Sequence, residues 1–191
     1  MSVLILGIVL FLGVHSIRIL APQWRDDRVA AMGEGAWKGV YSIASLIGLV
    51  LLVWGYAIAR QTSPVLYAPP AWMAHVTILL MAISFVALAV SQFPAGRLKP
   101  ILKHPMLLAV KVWAFAHLLA NGDLASLLLF GSLLAWAVWD RIAVKRRGAP
   151  IAKPGPVKWD IAAVLTGFVL WALFIWKLHE WLIGAPVPMG A

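Results

Sequence analysis

The chain is built from long apolar runs separated by short polar connections. Within each run the apolar residues follow one another continuously, which differs from the alternation of a half-buried strand. In lipid, a spanning segment must satisfy its own backbone hydrogen bonds, and about 20 residues of helix cross the hydrocarbon core. We therefore predict an all-α polytopic membrane helix bundle of about six transmembrane helices, forming a single domain over 1–191. The apolar runs are 2–20, 40–59, 71–93, 105–120, 124–139 and 159–183.

The connections carry residues that begin or end helices. Most prolines fall between the runs, where a missing backbone N–H costs least. The stretch 26–37 is polar and contains glycine, so we expect a short surface helix or an ordered loop there. Pro105 suits the first turn of the fourth helix, and Asp123 is placed to cap the N-terminus of the fifth.

Composition supports the membrane interpretation. Hydrophobic residues make up 63% of the chain and charged residues 12%, with a mean hydropathy of +0.91. A soluble domain has about 45–50% apolar and about 25% charged residues, so the excess apolar surface requires a lipid solvent. Cysteine is absent, which excludes disulfides, thiolate metal sites, covalent haem attachment and cysteine nucleophiles.

The basic residues predict an orientation in the membrane. The net charge is +9, and thirteen Lys and Arg residues lie in the connections that follow the first, third and fifth runs. The opposite side holds only Arg60 and Lys177, the latter within the last run. The positive-inside rule then places both termini outside the cytoplasm, with the basic side facing anionic lipid headgroups rather than nucleic acid. The thirteen are Arg18, Arg25, Arg28, Lys38, Arg97, Lys99, Lys103, Arg141, Lys145, Arg146, Arg147, Lys153 and Lys158.

The five histidines form two predicted layers in the membrane. His15 and His104 fall at the cytoplasmic ends of their runs, whereas His75, His117 and His179 fall toward the opposite face. Either layer has enough imidazoles to bind a metal or a haem iron. The alternatives are hydrogen bonding at the interface for His75 and His179, and packing for the others.

Lys111 is the one cation well inside an apolar run. It follows His104 by seven residues, which places the two within ~20° on one helix face, while His117 lies roughly 140° away from His104. His104 and Lys111 are thus predicted to address one site, where Lys111 pairs an anionic group such as a haem propionate. Snorkelling toward the cytoplasm or pairing with Asp140 are the alternatives.

Several short motifs carry a resemblance to a known family. The chain resembles the NnrU family most clearly around the fourth run, and the resemblance covers roughly residues 3–147. The matching segments are KHPMLL at 103–108 and WAFAHLLANGDLAS at 113–126, supported by FLGVHS at 11–16, GEG at 33–35, YS at 41–42, WGY at 54–56 and FG at 130–131.

The resemblance implies a bacterial inner-membrane protein linked to nitrite and nitric oxide metabolism during denitrification. The family is also related to 15-cis-zeta-carotene isomerase, a membrane enzyme with a haem b held by histidines. Transferred to this chain, those histidines are His15 and His104. Lys111 and His117 are further cofactor-binding candidates because of their positions in the apolar run and not because of the resemblance. The isomerase involves a cysteine near its second histidine, and the absence of cysteine here argues against a ligand-switching mechanism.

Three classes of function follow from these observations. The first is a haem b-binding NnrU-type protein whose partner is a hydrophobic small molecule or a respiratory reductase; as an enzyme, it would be a haem-dependent cis–trans isomerase. The second is a membrane assembly or regulatory factor for a respiratory reductase, without a cofactor. The third is a transporter, against which stand the missing inverted repeat and the missing intramembrane carboxylate.

Overall fold

The computed structural model describes residues 1–187 of the chain. The end of the predicted single domain, 188–191, lies outside the described residues. The chain divides into two compact units, which are described separately. The first comprises Met1–Leu66 and Asp123–Ser132, and the second comprises Tyr67–Gly122 and the chain from Leu133 onward.

Helices account for most of the described chain. Five of them are long and apolar enough to cross a membrane, and α6 is a shorter apolar helix. This confirms the all-α membrane fold, while the count of six spans and the orientation of the termini stay predictions. The helices are α1 (Ser2–Leu20), α2 (Pro22–Met32), α3 (Glu34–Ala59), α4 (Met73–Gln92), α5 (Leu98–Leu102), α6 (Pro105–Ala120), α7 (Leu124–Arg146), α8 (Lys158–Leu173) and α9 (His179–Ile183), with a π-helix at Phe174–Leu178 between α8 and α9.

Several helix boundaries extend beyond the apolar runs. The predicted surface helix is present as α2, which begins at Pro22 and ends before Gly33, where the backbone has φ 84°. Helix α3 starts immediately afterwards at Glu34, before the apolar run at 40–59, and α7 continues past 139 to Arg146. Polar residues at these ends keep their backbone hydrogen bonds within the helix while their side chains reach the polar interface.

In the first unit, α1 and α3 pack backbone against backbone. Gly7 faces the backbone of Leu52, and Gly55 faces the backbone of Leu4, so that a Cβ at either glycine would collide with the neighbouring helix. Leu4 is fully buried in this contact. Small residues at helix contacts allow the close approach that stabilises helix pairs in lipid, where no hydrophobic effect drives association.

In the second unit, α4 is the central helix and packs against both α6 and α8. Polar side chains join these helices: the Ser84 hydroxyl donates to the Ala109 carbonyl at 2.9 Å, and the Trp171 indole donates to the Ile78 carbonyl at 2.9 Å. Gly167 on α8 lies close to the backbone of Val86 on α4. Such interhelical hydrogen bonds satisfy polar groups that lipid cannot.

Candidate functional site

His15 lies on α1 in the first unit and is half-buried. Its Nδ1 lies 2.7 Å from the Phe11 carbonyl oxygen. A carbonyl oxygen only accepts, so Nδ1 carries the ring proton and Nε2 is the acceptor nitrogen of the neutral imidazole. The Phe11 ring lies 4.2 Å from the His15 ring, and the Tyr41 ring meets it edge-on at 5.4 Å. These contacts fix the ring in one orientation.

Ser45 lies one turn after Tyr41, on the same face of α3. Its hydroxyl oxygen is buried and has no hydrogen-bond partner among residues 1–187. An unsatisfied buried hydroxyl costs about 1–3 kcal/mol, so Ser45 is suited to bond a group outside residues 1–187. Tyr41 and Ser45 are not among the predicted site residues, although Tyr41 belongs to the YS motif and Ser45 follows it by four residues.

His104 lies in the second unit, immediately before the first residue of α6. Its backbone is non-helical, with φ −132° and ψ 70°, as expected for a residue that precedes proline. Helical rotation therefore does not relate His104 to Lys111 as the spacing argument assumed. Burial lowers the pKa of the His104 imidazole below its usual value, and the Arg141 guanidinium adds to that effect. This shift favours the neutral ring, the form that binds a metal.

Lys103 adopts an unusual backbone conformation next to His104. Its φ of 61° and ψ of −56° are close to those of a classic γ-turn, and the His104 N–H donates to the Leu102 carbonyl at 2.7 Å to close it. Lys103 has the one positive φ of a non-glycine residue within residues 1–187. Such strain persists where the surrounding structure requires it, and often marks a functional segment.

Lys111 lies inside α6 and is half-buried. It makes no hydrogen bond or ion pair with any residue in 1–187. Asp140 is instead paired with Arg147 at 3.8 Å, so the alternative of a Lys111–Asp140 pair is wrong for this structure. Snorkelling and the pairing of an external anion remain as explanations for Lys111.

The structure brings together two histidines of the second predicted layer. His117 on α6 and His179 at the start of α9 have ring centroids 6.4 Å apart and planes inclined by only 22°. The His117 Nδ1 donates to the Trp113 carbonyl at 2.8 Å, and the His179 Nδ1 donates to the Ala185 carbonyl at 2.7 Å. His75 of the same predicted layer is exposed on α4. Both residues belong to the second predicted histidine layer, but the sequence does not indicate that His117 and His179 are in contact.

The predicted cap at Asp123 is confirmed and belongs to a larger network in the first unit. Asp123 accepts the Ser126 backbone N–H at 3.0 Å and the Ser126 hydroxyl at 2.5 Å. Ser126 in turn lies 2.8 Å from the Tyr56 hydroxyl. An ionised carboxylate only accepts, so the hydrogen bonds run from Tyr56 to Ser126 to Asp123. Asp123 also bridges to Val65 in extended backbone.

The histidines and carboxylates of residues 1–187 do not converge on a multidentate metal cluster. No group of three or more His, Asp or Glu side chains that could hold a metal ion occurs among the described residues, 1–187. His15, His117 and His179 share one arrangement, in which Nδ1 donates to a backbone carbonyl. This second hydrogen bond is the one that orients metal-binding histidines and selects Nε2 as the ligand atom.

Comparison with known proteins agrees with the motifs. A family model described as NnrU protein matches residues 3–187. No curated protein and no solved structure matches the chain.

Proposed function

The chain belongs to the NnrU family, and from that premise we propose that it is a haem b-binding protein of the bacterial inner membrane that takes part in nitrite and nitric oxide metabolism. The observation that carries the proposal is the extent of the family match, which includes all five histidines. The proposed iron ligands are His15 and His104, the two histidines that the family resemblance indicates. Multi-pass membrane insertion agrees with the five long apolar helices.

The residues present fit a haem. The His15 Nδ1 proton is held by the Phe11 carbonyl, the arrangement that selects Nε2 as the ligand atom in metal-binding histidines. Near it, the buried Ser45 hydroxyl lacks a partner within residues 1–187. Burial lowers the pKa of His104 and so favours its neutral form. Lys111 is a half-buried cation without an ion pair in the described chain, and so suits a propionate.

Each residue has a distinct task in this proposal. When bound, a haem b would supply redox and ligand-binding chemistry at its iron. The Phe11 carbonyl keeps the His15 proton on Nδ1, and the Tyr41 and Phe11 rings restrict the rotation of the imidazole. In a membrane, the apolar helices around the site would limit its access to water, which would raise the energetic weight of every polar contact within it.

The test is a reduced-minus-oxidised absorption spectrum of the purified full-length protein and of single alanine variants. We expect a b-type haem spectrum in the parent protein. His15→Ala and His104→Ala should each weaken haem binding by at least about tenfold, because even residues that only orient a metal ligand contribute that much. His75→Ala is the matched control, since His75 is exposed, and it should retain the parental spectrum.

Two results would contradict the assignment. If His15→Ala and His104→Ala keep the parental spectrum while His117→Ala loses it, the haem is bound by the other histidine layer. A colourless protein that takes up no added haem would favour the second class of function, a cofactor-free assembly or regulatory factor for a respiratory reductase.

Lys111 offers a separate prediction. If Lys111 pairs a propionate, Lys111→Met should reduce haem retention while the helix content stays unchanged. If it only snorkels, the same change should be neutral or stabilising, since a cation at a helix centre costs about 3 kcal/mol on insertion scales. Haem occupancy and thermal unfolding of the same preparation distinguish the outcomes, and Lys111→Arg should restore retention in the first case only.

A further inference from the structure

At one end of the second unit, Lys and Arg residues outnumber the acidic residues that could pair with them. Seven Lys and Arg residues lie on the connections and helix ends at this side, and we call this set the basic platform. Six of them are exposed, and Arg141 is half-buried. The set is Arg97, Lys103, Arg141, Lys145, Arg146, Lys153 and Lys158.

The two acidic residues at this end are already engaged. The Asp160 carboxylate accepts the backbone N–H groups of Arg97 at 2.7 Å and Leu98 at 3.0 Å. Asp140 pairs with Arg147 at 3.8 Å. Neither carboxylate makes an ion pair with a member of the basic platform within residues 1–187. The platform therefore presents an excess of positive charge.

The connections that carry the platform are held against each other by the backbone. The Gly155 N–H donates to the Gly96 carbonyl at 3.1 Å. A Cβ at Gly155 would collide with the Ala95 carbonyl oxygen, and one at Gly96 would collide with the Asp160 carboxylate. On the inner side, the Lys99 amine donates to the Phe93 carbonyl at 2.6 Å. These contacts bring the segment around Arg97 and the one around Lys158 into a fixed arrangement.

The orientation of the chain in the membrane does not by itself explain why acidic residues are so few near the basic platform. Orientation depends on Lys and Arg, and acidic residues contribute little to it. The connection around α2, on the same predicted side, carries three acidic residues beside its cations, and two ion pairs there link Arg25 with Asp26 and Lys38 with Glu34. Acidic residues can thus occur on this side of the membrane, yet none forms an ion pair with the basic platform within residues 1–187.

Apolar and aromatic side chains border the cations. Ile101 is 69% exposed beside Lys103, and Ile151 and Val157 are exposed beside Lys153 and Lys158. The Lys158 amine lies 5.2 Å from the centroid of the Trp159 ring. Cations next to exposed apolar groups and a tryptophan match the chemistry of a phospholipid, which offers a phosphate beside its acyl chains.

We propose that the basic platform binds the headgroup of an anionic phospholipid. The strained turn at Lys103 contributes to this surface, because it holds an exposed cation at the junction of α5 and α6. The phosphodiester accepts hydrogen bonds from Lys and Arg side chains, and the acyl chains lie along the bordering apolar residues. This proposal is independent of haem binding.

The experiment reconstitutes the full-length protein in phosphatidylcholine bilayers and measures quenching of its tryptophans by brominated phosphatidylglycerol against brominated phosphatidylcholine. We expect the parent protein to prefer the anionic lipid by roughly fivefold or more, with a preference that falls as NaCl is added. The triple variant Arg97→Gln/Lys153→Gln/Lys158→Gln should lose most of this preference. These side chains make none of the hydrogen bonds that join the connections, so helix content should not change.

The matched control removes the same charge from the first unit with Arg25→Gln/Arg28→Gln/Lys38→Gln, and it should keep the parental preference. Equal loss in both triple variants would overturn the proposal in favour of a general charge effect. Absence of any preference in the parent protein would overturn it directly. Displacement of the lipid by millimolar inorganic phosphate would show a site for free anions instead.

Discussion

Gly55→Ala is expected to destabilise the protein by about 1–3 kcal/mol, which is the usual cost of overpacking. The added Cβ would collide with the Leu4 backbone nitrogen and lie 2.6 Å from the Leu4 Cα. Backbone atoms cannot rotate away as a side chain can, so α1 and α3 would have to separate. That separation would also loosen Leu4, which is fully buried in the contact. Reversible unfolding in mixed micelles measures the effect.

The same substitution at Gly13 is the control. Gly13 lies on α1 with nothing within 4 Å of the position that its Cβ would occupy. Alanine there should be neutral or should stabilise the helix by up to about 1 kcal/mol, because glycine is the poorer helix former. Gly7→Ala, which approaches Leu52 from the opposite helix, should repeat the loss seen at Gly55. Equal stability of the Gly55 and Gly13 variants would show that the helices do not pack at this distance.

Ser126→Ala is expected to cost about 1–3 kcal/mol, the usual penalty for leaving a buried polar group unsatisfied. Ser126 is fully buried, and it joins the Tyr56 hydroxyl to the Asp123 carboxylate. Its removal leaves the Tyr56 hydroxyl without this partner. Tyr56→Phe in the Ser126→Ala background should then cost little, and a double-mutant cycle would report the coupling of the pair.

The network also gives stability a dependence on pH. Burial tends to raise the pKa of Asp123, but hydrogen bonds, from Ser126 first and then Ser63, outweigh it and hold the pKa below its usual value. A carboxyl with a lowered folded-state pKa stabilises the fold above its unfolded pKa of about 4, and this contribution is lost as pH falls through the lower folded value. Unfolding measured between pH 6 and 3 should show this loss, and Asp123→Asn should flatten the curve.

Ser132→Ala provides the comparison on the same helix. The Ser132 hydroxyl donates only to the Leu129 carbonyl one turn earlier, at 3.0 Å, so its removal leaves no distant partner unsatisfied. The change should be close to neutral at all pH values. If Ser126→Ala were as mild as Ser132→Ala, the path from Tyr56 through Ser126 to Asp123 would have no energetic weight.

The boundaries of several helices could be predicted from local signals. Pro105 begins α6 where the sequence indicated, since a proline at the first turn loses no hydrogen bond. Asp123 caps α7 as predicted. The apolar run at 40–59 did not predict that α3 starts at Glu34. A helix extends into the polar interface wherever its backbone hydrogen bonds remain satisfied. Apolar runs therefore mark the lipid-facing length of a helix and not its ends.

The candidate site could be predicted only in part. The residue types were evident, because histidines inside apolar runs are uncommon and usually have a role. The partners were not, because His117 and His179 are distant in sequence and meet only through the packing of α4 with α6 and α8. Lys103 was predicted only to contribute a positive charge, because a lysine residue gives no indication of a positive φ.

The π-helix at Phe174–Leu178 has a consequence for how this chain can change over evolution. A single-turn π-helix accommodates one residue more than the α-helical turn that it replaces, usually by insertion into an existing helix. Relative to an uninterrupted α-helix of the same residues, the helix after the π-turn is turned back by about 100° and set back by about 1.5 Å, while the helix before it keeps Gly167 against Val86. The π-turn can therefore absorb a change of length: a one-residue deletion that restores an α-helical turn there would leave His179 facing as it does now, whereas a one-residue deletion between Gly167 and the π-turn would turn His179 by about 100°.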